Sequence, residues 1–215
     1  MTQINSDYSK KTHWRVIYYG PPQSGKSSSL QAIFHQTPFE KRGEKFSINT
    51  QPSSDFVYDF MSFKTSASSD GFKFQLYSVP GNPSSKTIRK FLLQDADGIV
   101  MVIDSQIEKW RENRYFLKEL QCHLHELGKN FYSIPLLFQY NKRDLPNIMD
   151  LEELNRTLNL WNFPYVETVA NQGIDVFKTL TILTKFLSNK KKASATQVFK
   201  NSSSPFCSAE KMPVF

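Results

Sequence analysis

Residues Gly20-Pro21-Pro22-Gln23-Ser24-Gly25-Lys26-Ser27 space two glycines, a lysine and a hydroxyl as G-x-x-x-x-G-K-S. Each part answers a need of phosphate chemistry. Glycines let the backbone wrap closely, so that successive N–H groups face anionic oxygens. A helix beginning here adds the partial positive charge of its N-terminus. Lys26 would reach the terminal phosphates, and the Ser27 hydroxyl would be a ligand of Mg²⁺. Gly20, Gln23, Ser24, Gly25, Lys26, Ser27 and Ser28 are therefore candidate nucleotide-binding residues, with Ser27 the candidate metal ligand.

A second motif reads the base. Asn141-Lys142-Arg143-Asp144 follows an apolar run of strand length. Guanine presents N1–H and N2–H donors on one edge, and a single carboxylate accepts both as a bidentate pair; Asp144 is the candidate. Lys142 would lie along the base plane through its alkyl stem, and Asn141 would tie this loop to the phosphate loop. Glu167-Thr168-Val169-Ala170 ends a later run, and backbone N–H groups there, that of Ala170 especially, would contact the guanine oxygen.

Positioning both motifs requires a sheet whose strands end on one side. Apolar runs of strand length alternate with helical patterns, the signature of a parallel sheet with crossover helices. Trp14–Tyr19 reads as a buried strand running into the phosphate loop, and Lys26–His35 as the helix after it. Phe56–Phe63 and Phe72–Val79 alternate as an antiparallel pair joined by the polar loop Lys64–Gly71. Gly98–Asp104 and Ile134–Tyr140 are continuous apolar runs, as in strands buried on both faces. Between them Gln106–Leu127 is a long amphipathic helix ended by Gly128. A strand at Tyr165–Val169 and a helix from Ile174 to Leu187 complete the pattern.

With 215 residues, 39% of them hydrophobic, the chain suits one domain with a substantial core. No apolar run approaches the roughly 18 residues of a membrane span, and the N-terminus lacks the apolar stretch of a signal peptide, so a cytoplasmic protein is expected. The net charge of +7 is uneven: from Asn189 onward five lysines face one glutamate, a net +4. Lys190–Lys192 would make at most a weak contact with acidic lipid or an acidic partner, on a Ser-rich tail expected to be disordered. No basic face interleaves with aromatics, so no nucleic-acid partner is expected. Cys122 is expected to be a packed side chain, and Cys207 is too far from the end for a prenylation box. The expected layout is an extension over 1–13, a domain over 14–188 and a tail over 189–215.

These motifs together resemble a Ras-like small GTPase, and more closely the bacterial mutual-gliding (MglA-like) type. The resemblance runs from about Trp14 to Leu187. It is carried by Tyr18-Tyr19-Gly20-Pro21, Leu76-Tyr77-Ser78-Val79-Pro80-Gly81, Asp97-Gly98, Asp104-Ser105-Gln106-Ile107-Glu108, Gln139-Tyr140-Asn141-Lys142-Arg143-Asp144-Leu145-Pro146-Asn147 and Gly173-Ile174-Asp175-Val176-Phe177. It implies an α/β P-loop NTPase fold, Ras-like and three-layered, with a mainly parallel six-stranded sheet and one antiparallel strand pair. It further implies GTP and GDP with Mg²⁺ as ligands and adds Gly81 to the nucleotide-binding set. The implied role is a cytoplasmic switch in cell polarity or motility, with a roadblock-fold activator or effector as partner.

The chain departs from that pattern in its hydrolytic machinery. The family's water-orienting glutamine is replaced by Asn82, one methylene shorter, and a misplacement of about an ångström costs on the order of 10²-fold in rate. Aligned without gaps, the first-switch Arg-Thr pair falls on Ser54 and Asp55, and Ser54 cannot stabilise transition-state charge. Thr50 or Ser53 would supply the lost hydroxyl if that loop is rearranged. Pro22 replaces a glycine and removes one N–H donor. Ser78 stands where most Ras-like proteins carry an aspartate, although the gliding type also has a small hydroxyl there. Asn82 and Ser54 are thus the catalytic positions, and slow hydrolysis is the expectation. The alternatives are a pseudo-GTPase scaffold and a P-loop kinase; the latter lacks an arginine-rich lid and leaves Asn141–Asp144 without a role.

Overall fold

The structure, a computed structural model, describes residues 13–49, 57–64 and 73–197. Ser54, Thr50, Ser53 and Asp55 lie outside the described residues, as does the tail beyond 197; so do the side chains of Lys190–Lys192.

His13–Tyr19 forms β1, buried on both faces from Val16 onward because apolar residues occupy consecutive positions. Lys26–Gln36 is α1, Arg42–Asn49 β2, Val57–Lys64 β3, Lys73–Ser78 β4, Lys86–Leu93 α2 and Gly98–Asp104 β5. Trp110–Glu126 is α3, Leu136–Asn141 β6, Leu151–Leu158 α4, Tyr165–Glu167 β7 and Val176–Gln197 α5. The strands lie in the order β2-β3-β4-β1-β5-β6-β7. β1 pairs in parallel with β4 and β5, β5 with β6, and β6 with β7, whereas β3 runs antiparallel to both β2 and β4.

Two layers of helices bury the sheet. On one face Ile17, Tyr19, Ile99, Met101 and Phe138 pack with Leu93 of α2, Phe116 and Leu120 of α3, and Leu154 of α4. On the other, Trp14, Val16, Val100 and Val102 pack with Leu30 and Ile33 of α1 and Leu180 and Leu183 of α5. Every buried aliphatic side chain of this size contributes roughly 1.5–3 kcal/mol, and together these hold the sheet flat against its helices. Among the described residues no helix is long and apolar enough to cross a membrane.

The Ras-like three-layer fold is present, with seven strands rather than six. The added strand is β2, an edge strand paired with β3, whose sequence Arg-Gly-Glu-Lys-Phe-Ser-Ile-Asn offers only Phe46 and Ile48 as alternating apolar residues. Helices α2 and α4 occupy stretches to which no element was assigned. α4 begins at a cap where the Asp150 side chain accepts from the Glu153 N–H at 2.7 Å, the two residues spaced as in a capping box. α5 continues past Leu187 to Gln197, through lysines and alanines with no helix breaker. Cys122 is exposed rather than packed, because it falls on the outer face of α3.

Candidate functional site

All parallel strands end at one edge of the sheet, where ligands of open α/β folds sit. β1 runs into the loop 20–25, β4 into residues 79–82, β6 into Asn141–Asp144 and β7 into Thr168–Ala170. A cleft of about 800 Å³ runs between the first two, bordered by Pro22, Lys26, Ser27, Gly81 and Asn82.

The phosphate loop is shaped by two glycines in the left-handed region, Gly20 at φ 146° and Gly25 at φ 102°. A side chain at Gly20 would overlap the Val102 carbonyl, and one at Gly25 the Asn141 amide. Gln23 also has positive φ, 58°, a costly conformation for a residue with a Cβ. α1 begins directly at Lys26, with no side-chain cap and no acid in its first turn, so its leading N–H groups are left for an anion. Lys26 is only 6% exposed, and its ammonium donates to the carbonyls of Gly20, at 2.9 Å, and Pro21. Burial, aided by repulsion from Arg89, lowers its pKa to about 7. A buried cation held by carbonyls alone is a strong receptor for phosphate oxygens.

Asn141 is the hub of the site. Its Nδ2 donates to the Ser24 carbonyl at 2.7 Å, which joins the β6 end to the phosphate loop. Its Oδ1 accepts from Thr168 Oγ1 at 3.0 Å and from the Ala170 N–H at 2.9 Å. The Ala170 N–H thus donates to Asn141, and the Val169 N–H donates to the Ile174 carbonyl. The buried Asn141 carbonyl oxygen needs donors, and the turn after β7 supplies them. Ala170 still packs near Gly25, while Asn171 and Gln172 border a groove of about 410 Å³ beside Ser28 of α1.

The remaining two residues of the second motif diverge in surroundings. Lys142 has φ 64°, and its ammonium reaches the buried Asp104 carboxylate at the end of β5, 2.6 Å away, which stretches its stem across the sheet edge. Asp144 is exposed, and among the described residues its carboxylate is touched only by a long bond from Gln172 Nε2 at 3.4 Å. It is free to accept two donors from a ligand. Arg143, assigned no role from sequence, braces this loop by donating to the Met149 carbonyl at 2.7 Å and to Glu167 at 3.1 Å.

The metal end gains a residue. Ser27 Oγ lies 3.2 Å from Ser78 Oγ, and Ser78 donates to Asp59 Oδ2 at 3.4 Å. Asp59 lies on β3 directly opposite Ser78 in register, and Ser47 of β2 donates to its other oxygen at 2.6 Å. This all-oxygen set suits a hard divalent cation such as Mg²⁺, which takes one or two protein oxygens and completes its shell with phosphate and water. Ser27 and Asp59 are the residues that would hold it. Among the described residues no group of three or more His, Cys, Asp or Glu could hold a metal unaided. Asp59 escaped sequence reading because only the β3–β4 register brings it beside Ser78. Asp59→Asn is expected to raise the Mg²⁺ concentration needed for half-maximal GDP retention about 10-fold, measured by nucleotide release against a chelator series.

Asn82 borders the cleft, and its side chain is engaged locally. Its Oδ1 accepts from the Ser84 N–H and hydroxyl, at 3.3 and 2.9 Å, and so caps the helical turn that precedes α2.

The sequence was also compared with known proteins. The model of the ADP-ribosylation factor family matches residues 1–196. The Mutual gliding-motility protein MglA of Myxococcus xanthus (strain DK1622) is 38% identical over 181 residues, which cover 83% of this chain and 92% of that protein. The chain belongs to the ADP-ribosylation factor family of Ras-like small GTPases, among its MglA-like members.

Proposed function

We propose that this protein is a guanine-nucleotide switch that binds GTP and GDP with Mg²⁺ and turns GTP over slowly. Lys26 and the N–H groups of Gln23–Ser28 hold the phosphates, Asp144 pairs with the guanine edge, Lys142 lies along the base, and Ser27 with Asp59 holds the metal. The observation that carries this reading is the Asn141 amide, which bridges Ser24 of the phosphate loop to Thr168 and Ala170 and so ties phosphate end and base end into one site. The MglA similarity supports a cytoplasmic role in cell polarity or gliding motility, with a roadblock-fold partner that accelerates turnover or reads the bound state.

Slow turnover rests on Asn82. Hydrolysis needs an oriented water, and the Asn82 amide is held by Ser84. The same observation favours the second reading, a pseudo-GTPase that acts as an interaction scaffold. Phosphate release from GTP, with and without a roadblock-type partner, separates them: measurable turnover supports the switch, and none in either case supports the scaffold. Single-turnover hydrolysis then fixes the rate, and a rate equal to that of glutamine-bearing relatives would overturn slow turnover. Asn82→Gln is expected to raise the rate about 10-fold, as the longer amide escapes the Ser84 cap.

A further inference from the structure

Arg89 of α2 is fully buried, and apart from its repulsion of Lys26 the nucleotide chemistry above does not use it. Its Nε and Nη2 donate to the two oxygens of Glu119 on α3, at 2.8 Å each. Its Nη1 donates to the carbonyls of Pro80, at 3.0 Å, and Asn82, at 2.6 Å, the residues on either side of Gly81. Phe116 covers the guanidinium, its ring centroid 5.0 Å away. Glu119 also accepts from the hydroxyl of Tyr19 at 2.6 Å, and Tyr19 directly precedes Gly20. His123 borders the same hydroxyl at 3.3 Å. One buried network therefore joins three segments: the strand that launches the phosphate loop, the 80–82 loop, and α3.

Such a network is a poor source of stability, because an apolar set of similar volume does as well or better. What it supplies is geometry. A planar fork bonded on both edges fixes direction as well as distance. It fixes Gly81 against Pro22 so closely that a Cβ on Gly81 would overlap the Pro22 backbone. Pro22 and Gly81 border the same cleft as Lys26, whose ammonium would receive the terminal phosphates. A third phosphate there would press on the Pro22–Gly81 contact, which a diphosphate would not reach.

We propose that Arg89 is a positioning residue which, anchored by Glu119 and Tyr19, holds the Pro80-Gly81-Asn82 loop on Pro22 and biases the site toward a nucleoside diphosphate over a triphosphate. This rests on the guanine-nucleotide reading of the site. Moving the loop requires both Nη1 bonds to break or α2 to move with it, so Arg89 sets the cost of admitting the last phosphate.

The test measures equilibrium affinities of the full-length protein for fluorescent GDP and non-hydrolysable GTP analogues, with amide hydrogen exchange of residues 81–85 in the nucleotide-free protein. Lysine lacks the fork, and Arg89→Lys should raise the GTP-to-GDP affinity ratio about 10-fold, leave GDP affinity within about 2-fold, and speed exchange at Gly81. If the lysine variant does not fold, Arg89→Met with Glu119→Gln removes the fork without leaving a buried charge, and the same changes are expected. A residue that only supports the fold would weaken both nucleotides alike, and that outcome, an unchanged or lowered ratio, or unchanged exchange at Gly81 overturns the proposal. Wild-type protein that binds neither nucleotide would instead defeat the reading of the site, and the bias with it, while exchange at Gly81 would still report whether Arg89 holds the loop.

Discussion

Lys26→Met yields a nucleotide-free protein that is more stable than wild type and no longer retains GTP or GDP. The ammonium is buried and bonded only to two backbone carbonyls, and burial, then Arg89, lowers its pKa to about 7 from 10.5. Between these two values the unfolded chain binds more protons than the folded one, so stability rises with pH across that window and the full penalty is present below pH 7. Methionine has a similar length and no charge. It should stabilise the empty protein by on the order of 1–3 kcal/mol at pH 7 and flatten the rise in stability between pH 7 and 10. Nucleotide affinity should fall on the order of 10²–10³-fold, because the charge-assisted contacts to phosphate are lost. Urea unfolding at pH 7 and 9, with calorimetric titration of GDP, checks both halves. A destabilised empty variant would show that Lys26 serves the fold rather than a ligand.

Asp144→Asn exchanges the preferred base. The carboxylate accepts from N1–H and N2–H of guanine; an asparagine amide accepts one donor and turns its own NH₂ toward the other position, which suits the C2 carbonyl of xanthine. GDP affinity is expected to fall about 10²–10³-fold while xanthosine diphosphate gains by a similar factor. Asp144 is well suited to this exchange because it is exposed and holds only the weak contact with Gln172. Unchanged GDP affinity, read by competition with a fluorescent analogue, would remove guanine from the reading. Asn141→Ala would not be an equivalent probe. Asn141 satisfies the Ser24 carbonyl and takes the Ala170 N–H and Thr168 hydroxyl, so its loss unsettles both ends of the site at once.

The bias attributed to Arg89 and the slow turnover attributed to Asn82 concern the same short loop. Arg89 bonds the Asn82 carbonyl while Ser84 holds the Asn82 side chain. A partner that shifts α2 against α3 would therefore act on both at once, through the Arg89–Glu119 pair.

Local chemistry made much of this protein legible in its sequence. Gly20, Gly25, Lys26 and Ser27 have meaning by spacing alone, because a phosphate cradle is built from consecutive backbone N–H groups. Asn141 to Asp144 are equally local, and the buried strands β1, β5 and β6 declare themselves as continuous apolar runs because both faces are covered. Tertiary structure decided what depends on partners distant in sequence. β2 is an edge strand with only Phe46 and Ile48 apolar, too short a pattern to declare a strand by itself. Asp59 comes beside Ser78, 19 residues away, only through the register of β3 on β4, and the Ala170 N–H is claimed by Asn141, 29 residues away. Arg89 carries no motif in the sequence, and only the tertiary structure surrounds it with Glu119 and the carbonyls of Pro80 and Asn82. Spacing along the chain set what each loop could bind; packing between elements set which of those groups remained free to do so.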